Sequence, residues 1–447
     1  MSEQTPNDAP ARPRLAGVTI PLFSLRTPRS WGIGELADLP AFASWMKEEA
    51  GIGLVQILPL AEVSGGETSP YAALTAFGLD PTYISLSSVP ELAGQERAAL
   101  GDAGVAELER VRAAPRVDYG RVRALKHRAL GFAFRRFLAD ELARATPRAH
   151  RFLAFVDAER GWLEDYALFR ALKDAHDGVA WWDWTRGVRD REPAALSRAR
   201  MDLGDDVLFF EYVQWIAHES WWATREALRA LGVEVMGDFP FMVGRDSADV
   251  WASRDEFKLE GAVGAPPDAF DEQGQDWDLP PYDWEKMRGD DFRWLRRRAG
   301  YTASLYDRFR IDHLVGFYRT YQRVREERVG PDGKLVPGVF DPADEAEQIA
   351  HGERVVSAMI EAAAERGATL VAEDLGAVPP FVRASLAKLG VPGYKVLIWE
   401  KDEHVFRDPK AYPPVSVACF GTHDTPPVAA WWASLEGAER EGFLALP

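Results

Sequence analysis

The chain has 447 residues, 70 of them acidic and 53 basic, so its formal charge at neutral pH is −17. That balance argues against a protein that grips nucleic acid or an anionic membrane, because both tasks need a basic face. Hydrophobic residues at 47% exclude wholesale disorder, and a single cysteine excludes an internal disulfide or a cysteine metal cage. No apolar run approaches the ~20 residues that cross a bilayer, and Met1–Arg14 does not resemble a signal peptide, so we predict a cytoplasmic location.

Seven short apolar runs, each bounded by Gly or Pro and rich in Val, Ile, Leu or aromatic residues, are typical of buried parallel strands. These predicted strands are Leu15–Pro21, Leu54–Pro59, Val233–Asp238, Phe309–Asp312, Ala368–Glu373, Tyr394–Glu400 and Val415–Thr422. Helical patterns lie between most of them, at Leu36–Glu49, Glu211–Leu231, Asp291–Phe309 and Asp344–Arg366. The alternation of strand and helix predicts a parallel α/β sheet.

Two parallel architectures fit this alternation, an open doubly wound sheet and a closed barrel. The open sheet usually binds its ligand near a glycine-rich turn, and no Gly-x-Gly-x-x-Gly follows a predicted strand. Polar residues instead end several different strands, which is typical of the active face of a barrel. We therefore predict a (β/α)8 TIM-type barrel of the α-amylase kind.

The second and third predicted strands are too far apart for one crossover, since 174 residues separate Pro59 from Val233 where about 30 suffice. Helical patterns in this stretch predict a mostly helical insertion at about 92–204. A smaller excursion at about 244–284 carries two proline pairs and predicts an ordered loop over the barrel mouth. We expect residues 1–447 to form one catalytic barrel domain with these two interruptions.

The count of strands stops one short of a closed barrel. Only 23 residues follow Asp424, and their pattern resembles a single helix. We therefore expect the eighth strand to be missing, with a gap or an irregular bridge between strands one and seven. On this expectation the chain is a C-terminally truncated fragment, or it closes its barrel in another way.

Charged side chains end the fourth, fifth and seventh predicted strands. Because side chains alternate along a strand, Arg310 and Asp312 should point to the same side, and the guanidinium would keep Asp312 ionised as a candidate nucleophile. Glu373, at the end of the neighbouring strand, would feel that charge and keep the raised pKa of a general acid. Asp424 is a candidate for holding sugar hydroxyls and stabilising an oxocarbenium-like transition state.

These residues also have plainer interpretations. An acidic residue at a strand end is often a turn former or a helix cap, and Asp80 and Asp374 are examples. The 16 tryptophans suit a large core as well as a sugar-binding cleft. A metal cluster is a further alternative, disfavoured because neighbours along a strand point to opposite faces and no His-Glu-x-x-His occurs. It would draw on Asp238, Asp312, His313, Glu373, His423 and Asp424.

Nine motifs, in one order along the chain, carry a resemblance to a known family. They are Trp31–Leu36, Gln56–Leu60, Ser69–Tyr71, Asp246–Ala252, Gly264–Phe270, Gly274–Trp277, Arg310–His313, Ala372–Gly376 and Thr422–Thr425. With them the sequence resembles the 4-α-glucanotransferases of glycoside hydrolase family 77, also called amylomaltases or disproportionating enzymes. The resemblance runs from residue 17 to about 432.

This resemblance implies an α-amylase-like barrel that works without a metal or an organic cofactor. It implies Asp312 as nucleophile, Glu373 as general acid/base and Asp424 as transition-state stabiliser. It further implies a set of substrate-binding residues, of which Gln275 and Trp277 would lie on a mobile loop at the acceptor side. The set is Ser69, Tyr71, Asp238, Gln275, Trp277, Arg310, His313, Asp374 and His423.

The implied reaction moves a segment of an α-1,4-glucan to the 4-hydroxyl of another glucan or of glucose. The expected partners are therefore maltooligosaccharides and glucose, and not nucleic acid or membrane. The chain departs from the family at Asp278, a carboxylate where a glycine is common, which would alter loop mobility or acceptor preference. Two rival functions remain open: an α-1,4-glucan hydrolase of the α-amylase type, and a non-catalytic glucan-binding barrel.

Overall fold

The computed structural model describes residues 14–64, 69–267 and 271–446. In chain order its strands are β1 (Gly17–Thr19), β2 (Leu54–Gln56), β3 (Glu234–Phe239), β4 (Gly261–Ala265), β5 (Gln275–Leu279), β6 (Arg308–Ile311), β7 (Thr320–Val324), β8 (Val339–Asp341), β9 (Thr369–Ala372), β10 (Gly393–Val396), β11 (Lys401–Asp402), β12 (Val405–Phe406) and β13 (Ser416–Cys419).

The helices surround these strands. They are α1 (Leu39–Ala50), α2 (Glu96–Ala113), α3 (Tyr119–Asp140), α4 (Pro147–Ala158), α5 (Arg160–Ala175), α6 (Arg186–Arg189), α7 (Pro193–Asp202), α8 (Gly204–Ala230), α9 (Ala248–Ala252), α10 (Trp284–Gly289), α11 (Arg293–Leu305), α12 (Glu345–Ala364), α13 (Pro380–Leu389), α14 (Val428–Ser434) and α15 (Gly437–Leu444). Within the described ranges, no helix combines the length and the apolar character needed to cross a membrane.

The main sheet is parallel throughout and follows chain order. Its strands run β1-β2-β3-β6-β9-β10-β13. Each lies within or overlaps one of the seven predicted runs, so the predicted strands are confirmed. Helices connect most neighbouring strands, and the whole is the curled parallel sheet of an α/β barrel. Strands β1 and β13 form its two edges.

Alternation of side chains gives this sheet two different faces. Residues such as Val235, Phe309 and Leu370 belong to the large core beneath the surrounding helices. The neighbouring residues Met236 and Val371 point inside the curl, where they form a separate apolar cluster with Tyr394, Val396 and Ile398. The period of two therefore sends each strand's C-terminal polar residues inward, above this inner cluster.

The predicted excursion at 244–284 is more regular than an ordered loop. Strands β4 and β5 from this segment join β7 and β8 in a second, antiparallel sheet of order β5-β4-β7-β8. The sequence pattern did not predict β4 and β5 because they are short and contain Gly and Asp, residues with low strand propensity. Asp268, Ala269 and Phe270, which complete the predicted Gly264–Phe270 motif, lie outside the described residues.

In the described part of the long stretch between β2 and β3 there are seven α-helices, α2 to α8. The last of them, α8, packs on β3 and begins at Gly204, seven residues before the predicted start at Glu211. Its first turn carries Asp205 and Asp206, whose negative charge suits the positive end of the helix dipole. Because these first residues are charged, apolar periodicity alone did not predict that the helix begins at Gly204.

One buried ion pair ties this helical stretch to the first barrel segment. The Lys126 ammonium on α3 lies 2.6 Å from the Glu35 carboxylate and also donates to the carbonyl oxygens of Thr82 and Ile84. Both side chains are buried. Burial raises the pKa of Glu35 and lowers that of Lys126, while their attraction opposes both shifts. The Trp31–Leu36 motif is therefore an internal anchor for α3.

Replacing Lys126 by Met should destabilise the protein strongly, because it leaves Glu35 and two carbonyl oxygens without their shared donor. Losing one partner of a buried pair costs about 3–5 kcal/mol. Thermal unfolding followed by circular dichroism would measure the change.

The matched control is Lys388→Met, which removes the exposed partner of Glu353 at the surface. Exposed pairs contribute about 0–1 kcal/mol, so its melting temperature should stay near that of the parent protein. Equal effects from the two substitutions would contradict the anchoring role of Lys126.

Candidate active site

Sheet register brings two carboxylates to the same level of the barrel mouth. Ile311 on β6 pairs with Ala372 on β9, so the next residues, Asp312 and Glu373, leave neighbouring strand ends side by side. Asp238 pairs with Arg310 in the adjoining ladder. In the sheet these strands are the third, fourth and fifth, which agrees with the count made from the sequence.

Arg310 lies between two carboxylates. Its Nη1 donates to both oxygens of Asp238, at 2.9 and 2.8 Å, and its Nη2 lies 2.8 Å from Oδ1 of Asp312. The predicted placement of Arg310 and Asp312 on one side of the strand is confirmed by this contact. The guanidinium itself is buried. Arg310 thus places a positive charge beside Asp238 and Asp312, two of the residues on which the metal alternative would draw.

Asp312 differs from the sequence-based expectation in its proton affinity. We expected Arg310 to keep it ionised, and Arg310 does lower its pKa, but burial and the neighbouring Asp238 and Glu373 outweigh that contact. The net effect raises the pKa of Asp312 to about 7. One guanidinium cannot neutralise three carboxylates, so a proton is held readily within the cluster.

Glu373 accepts a hydrogen bond from the backbone N–H of His313 at 2.7 Å. His313 itself has φ of +45°, a left-handed conformation that non-glycine residues seldom adopt. Such strain tends to persist at functional sites, where the surroundings enforce it. Burial raises the pKa of Glu373, partly offset by Arg310 and by this hydrogen bond. The raised direction is the one predicted.

Tyr71 joins two distant segments across the mouth. Its Oη donates to Oδ2 of Asp238 at 2.8 Å and lies 2.9 Å from Nε2 of His423. With its one proton given to Asp238, the phenol accepts from the His423 ring. The two rings are stacked with centroids 6.0 Å apart. Beside them, the Oγ of Ser69 accepts from the Tyr71 N–H at 3.4 Å.

Asp424 stands at the open edge of this group. Its Oδ2 is 3.3 Å from Nε2 of His423, and 74% of its side chain is exposed. The structure therefore places Asp424 next to His423 with most of its side chain in solvent, whereas Asp312 and Glu373 are half-buried.

Trp277 and Gln275 cover the site from β5. The Trp277 ring lies edge-on to the His313 ring, with centroids 4.9 Å apart, and its Nε1 donates to Oε1 of Gln275 at 2.9 Å. Burial lowers the pKa of His313 to about 4, so its ring is neutral at pH 7. The Phe241 ring also packs against His313, with centroids 5.3 Å apart, and the sequence analysis missed this residue. An aromatic residue follows Pro240 just after β3, but nothing in the local pattern places it against His313.

Asp374 is not brought to this cluster. Its Oδ1 accepts from the backbone N–H of Tyr394 at 2.7 Å, and its other oxygen lies 3.4 Å from Nε of Arg383. Gly393 fits beside it only because it has no side chain, since a Cβ there would lie 2.6 Å from the carboxylate. Asp80 likewise caps a short turn by accepting from the Thr82 N–H. Both contacts match the plainer interpretation, in which such residues organise turns and strand starts.

Comparison with known proteins agrees with this geometry. A family model described as 4-alpha-glucanotransferase matches residues 20–446. The chain is 35% identical to a 4-alpha-glucanotransferase of Thermus thermophilus over 445 residues, covering 97% of this chain and 82% of that protein. It is 31% identical to a 4-alpha-glucanotransferase of Chlamydia pneumoniae over 437 residues, covering 96% and 78%.

Solved structures show the same fold. The amylomaltase from Streptococcus agalactiae in complex with acarbose superposes with a TM-score of 0.80 at 26% identity, covering 96% of this chain and 83% of that one. The amylomaltase from Corynebacterium glutamicum shares the fold with a TM-score of 0.76 at 24% identity, covering 94% and 56%. Since the family model spans nearly the whole chain and relatives exceed 30% identity, the chain belongs to the 4-alpha-glucanotransferase family.

Proposed function

We propose that this enzyme transfers a segment of an α-1,4-glucan to the 4-hydroxyl of an acceptor glucan or glucose by a retaining double displacement. The observation that carries the proposal is the β6–β9 register, which sets Asp312 and Glu373 on neighbouring strand ends in the field of Arg310. Two carboxylates that share one cation and unequal surroundings can divide the roles of nucleophile and acid.

In the first step, Asp312 attacks the anomeric carbon of the donor sugar. Arg310 holds Oδ1 of Asp312, which leaves Oδ2 to form the new bond to carbon. Glu373 gives its proton to the glycosidic oxygen as the old bond to carbon breaks, so the shortened glucan leaves as a neutral alcohol. The reactive state has its one proton on Glu373 and a negative charge on Asp312.

In the second step, Glu373 acts as a base. It takes the proton from the acceptor 4-hydroxyl while that oxygen attacks the anomeric carbon, and Asp312 departs as a carboxylate. Transfer exceeds hydrolysis when the acceptor sugar displaces water. Gln275 and Trp277, lying over His313, are proposed to hold the acceptor and exclude water on that side.

The other residues are proposed to bind the reacting sugar. Tyr71, Asp238, Arg310, His313 and His423 present hydroxyl, carboxylate, guanidinium and imidazole groups to sugar hydroxyls. Ser69 positions Tyr71, and Asp424 would stabilise the oxocarbenium-like transition state from the open edge. Asp374 was predicted to bind substrate, but its carboxylate is engaged by the Tyr394 N–H, so we propose that it supports the start of β10.

The domain organisation is proposed as one catalytic barrel over residues 1–447, with a helical insertion at 92–204 and an active-site excursion at 244–284. The helices α2 to α7 and the strands β4 and β5 within those limits support this division. The absence of a regular eighth strand and the cytoplasmic location stay predictions.

Incubation with maltotriose alone should yield glucose together with a ladder of longer maltodextrins. Each transfer lengthens one chain at the expense of another, and chromatography of the products would detect it. Shorter sugars alone would identify the α-glucan hydrolase instead. Binding without any product would favour the non-catalytic barrel.

Asp312→Asn should reduce activity on the order of a thousandfold or more, because no other group can form the covalent intermediate. Glu373→Gln should fail with maltotriose yet still react with maltosyl fluoride, because fluoride departs without a proton. Mass spectrometry of that variant should find a maltosyl group on Asp312.

The matched control is Asp332→Asn, a substitution at an exposed turn, which should keep full activity. A maltosyl group found on any other residue would overturn the assignment of Asp312.

The pH profile should report the raised pKa of Asp312. A nucleophile must be ionised, so kcat/KM should fall as pH drops through about 7, and not only near the usual aspartate value. The apparent value reflects Asp312 together with the charges that act on it, those of Arg310, Asp238 and Glu373. Asp238→Asn removes a neighbouring negative charge, so it should move this acidic limb to lower pH. An acidic limb near pH 4 in the parent enzyme would contradict the expectation.

A further inference from the structure

The pairing of β5, the strand that carries Trp277, with β4 has an irregular register. Val263 on β4 pairs with Leu279, whereas the next residue, Gly264, pairs with Asp276. Trp277 and Asp278 therefore form a bulge opposite this single step. Bulges re-aim side chains, and this one directs Trp277 toward His313.

The bulge places Asp278 in a conformation that disfavours it. Its φ is +48°, in the left-handed region that glycine occupies without cost. An aspartate there must be held by its contacts. The required compensation comes from three arginines outside β5.

Arg325 reaches the Asp278 carboxylate with two nitrogens, Nε at 2.9 Å and Nη2 at 3.3 Å. Arg328 lies 3.6 Å from the same carboxylate and 2.7 Å from that of Asp276. Arg245 lies 3.6 Å from Asp278 and also donates to its backbone oxygen at 3.2 Å. Arg325 and Arg328 thus connect Asp276 and Asp278 to the segment that follows β7, and Arg245 connects Asp278 to the segment that follows β3.

Arg245 is the fixed point of this group. It is buried, and its other nitrogens donate to the carbonyl oxygens of Leu259 and Gly261. Burial lowers the pKa of Arg245 to about 10, so it stays charged at neutral pH. Burial also acts to raise the pKa of Asp278, but Arg325, Arg245 and Arg328 outweigh it and lower that pKa, which keeps the carboxylate ionised.

We propose that Asp278 is a positioning residue for the acceptor side, which holds the β5 bulge through Arg245, Arg325 and Arg328 and so keeps Trp277 against His313. The inference rests on the proposed transfer function and deepens it. Asp278 does not touch the carboxylates that break the donor bond. Its loss should therefore weaken acceptor use more than donor cleavage.

The test compares acceptor and donor kinetics in Asp278→Asn, which keeps the shape and removes the charge. With a saturating maltooligosaccharide donor and labelled glucose as acceptor, its KM for glucose should rise roughly three- to tenfold. The rate of donor consumption should change by less than about twofold, and hydrolysis should take a larger share of the products.

The variant Asp278→Gly distinguishes the effect of the carboxylate from the effect of the left-handed backbone conformation. Glycine relaxes the left-handed position, so the melting temperature should not fall, yet the KM for glucose should rise as in Asp278→Asn. A merely structural role for Asp278 would leave this variant with the parent enzyme's KM for glucose. That result would overturn the inference.

Arg325→Gln should raise the same KM by a smaller factor, because it removes one of the three arginine contacts of Asp278. The double variant should be no worse than Asp278→Asn alone, in which the Arg325 contact is already lost. The control Glu327→Gln, at an exposed neighbouring position, should leave the KM unchanged. Additive effects of Asp278 and Arg325, or a KM within twofold of the parent in Asp278→Asn, would refute the positioning role.

The parent enzyme distinguishes the two levels of this test. Failure to form the maltodextrin ladder from maltotriose would overturn the proposed function itself. A ladder that forms equally well without the Asp278 carboxylate would overturn only the positioning role.

Discussion

The buried guanidinium of Arg310 is the contact on which the rest of the site depends. It binds Asp238 with one nitrogen and Asp312 with another, so it sets the relative positions of the side chains that end β3 and β6. Arg310 is one positive charge among three carboxyl groups, since Glu373 interacts with it as well as Asp238 and Asp312. That shortage holds a proton among the carboxylates, as a step needing both an acid and a nucleophile requires.

From Arg310 a polar chain runs across the mouth of the barrel. Asp238 binds Tyr71, Tyr71 binds His423, and His423 contacts Asp424. Tyr71 follows β2 and His423 follows β13, so the chain joins segments near opposite edges of the sheet. The orientation of the exposed Asp424 is thereby linked to the buried ion pair, through contacts between side chains far apart in sequence.

The aromatic contact above His313 is supported by a separate part of the structure. The carboxylates lie at the ends of strands in the parallel sheet. Trp277 instead contacts His313 from a bulge in the separate antiparallel sheet. The strain of Asp278 and of His313 lies on the two sides of this contact. The half-buried carboxylates of Asp312 and Glu373 and the contact of Trp277 with His313 therefore have independent supports, the first in the parallel sheet and the second in the antiparallel sheet.

The strands, their parallel order and the main candidate carboxylates were predictable from local pattern. Apolar runs bounded by Gly and Pro mark buried strands, and Arg310 and Asp312 share a face because side chains alternate. The antiparallel sheet, the early start of α8 and the contact of Phe241 with His313 were not predictable from that pattern. Short polar strands and charged helix starts carry weak local signals, and their stability comes from partners distant in the chain.

The sequence by itself was enough to predict which residues are candidates for the chemistry and which strand each one ends. The tertiary structure alone set the electrostatic state of these residues and which of them face the site. Arg310 next to Asp312 predicts an ionised carboxylate, but burial and the convergence of Asp238 and Glu373 raise the pKa of Asp312. Asp374 and Glu373 are neighbours in the chain, yet one binds the start of β10 and the other faces the site. Proton affinity and orientation are set by the sum of surrounding charges and packing, which exists only after distant segments meet.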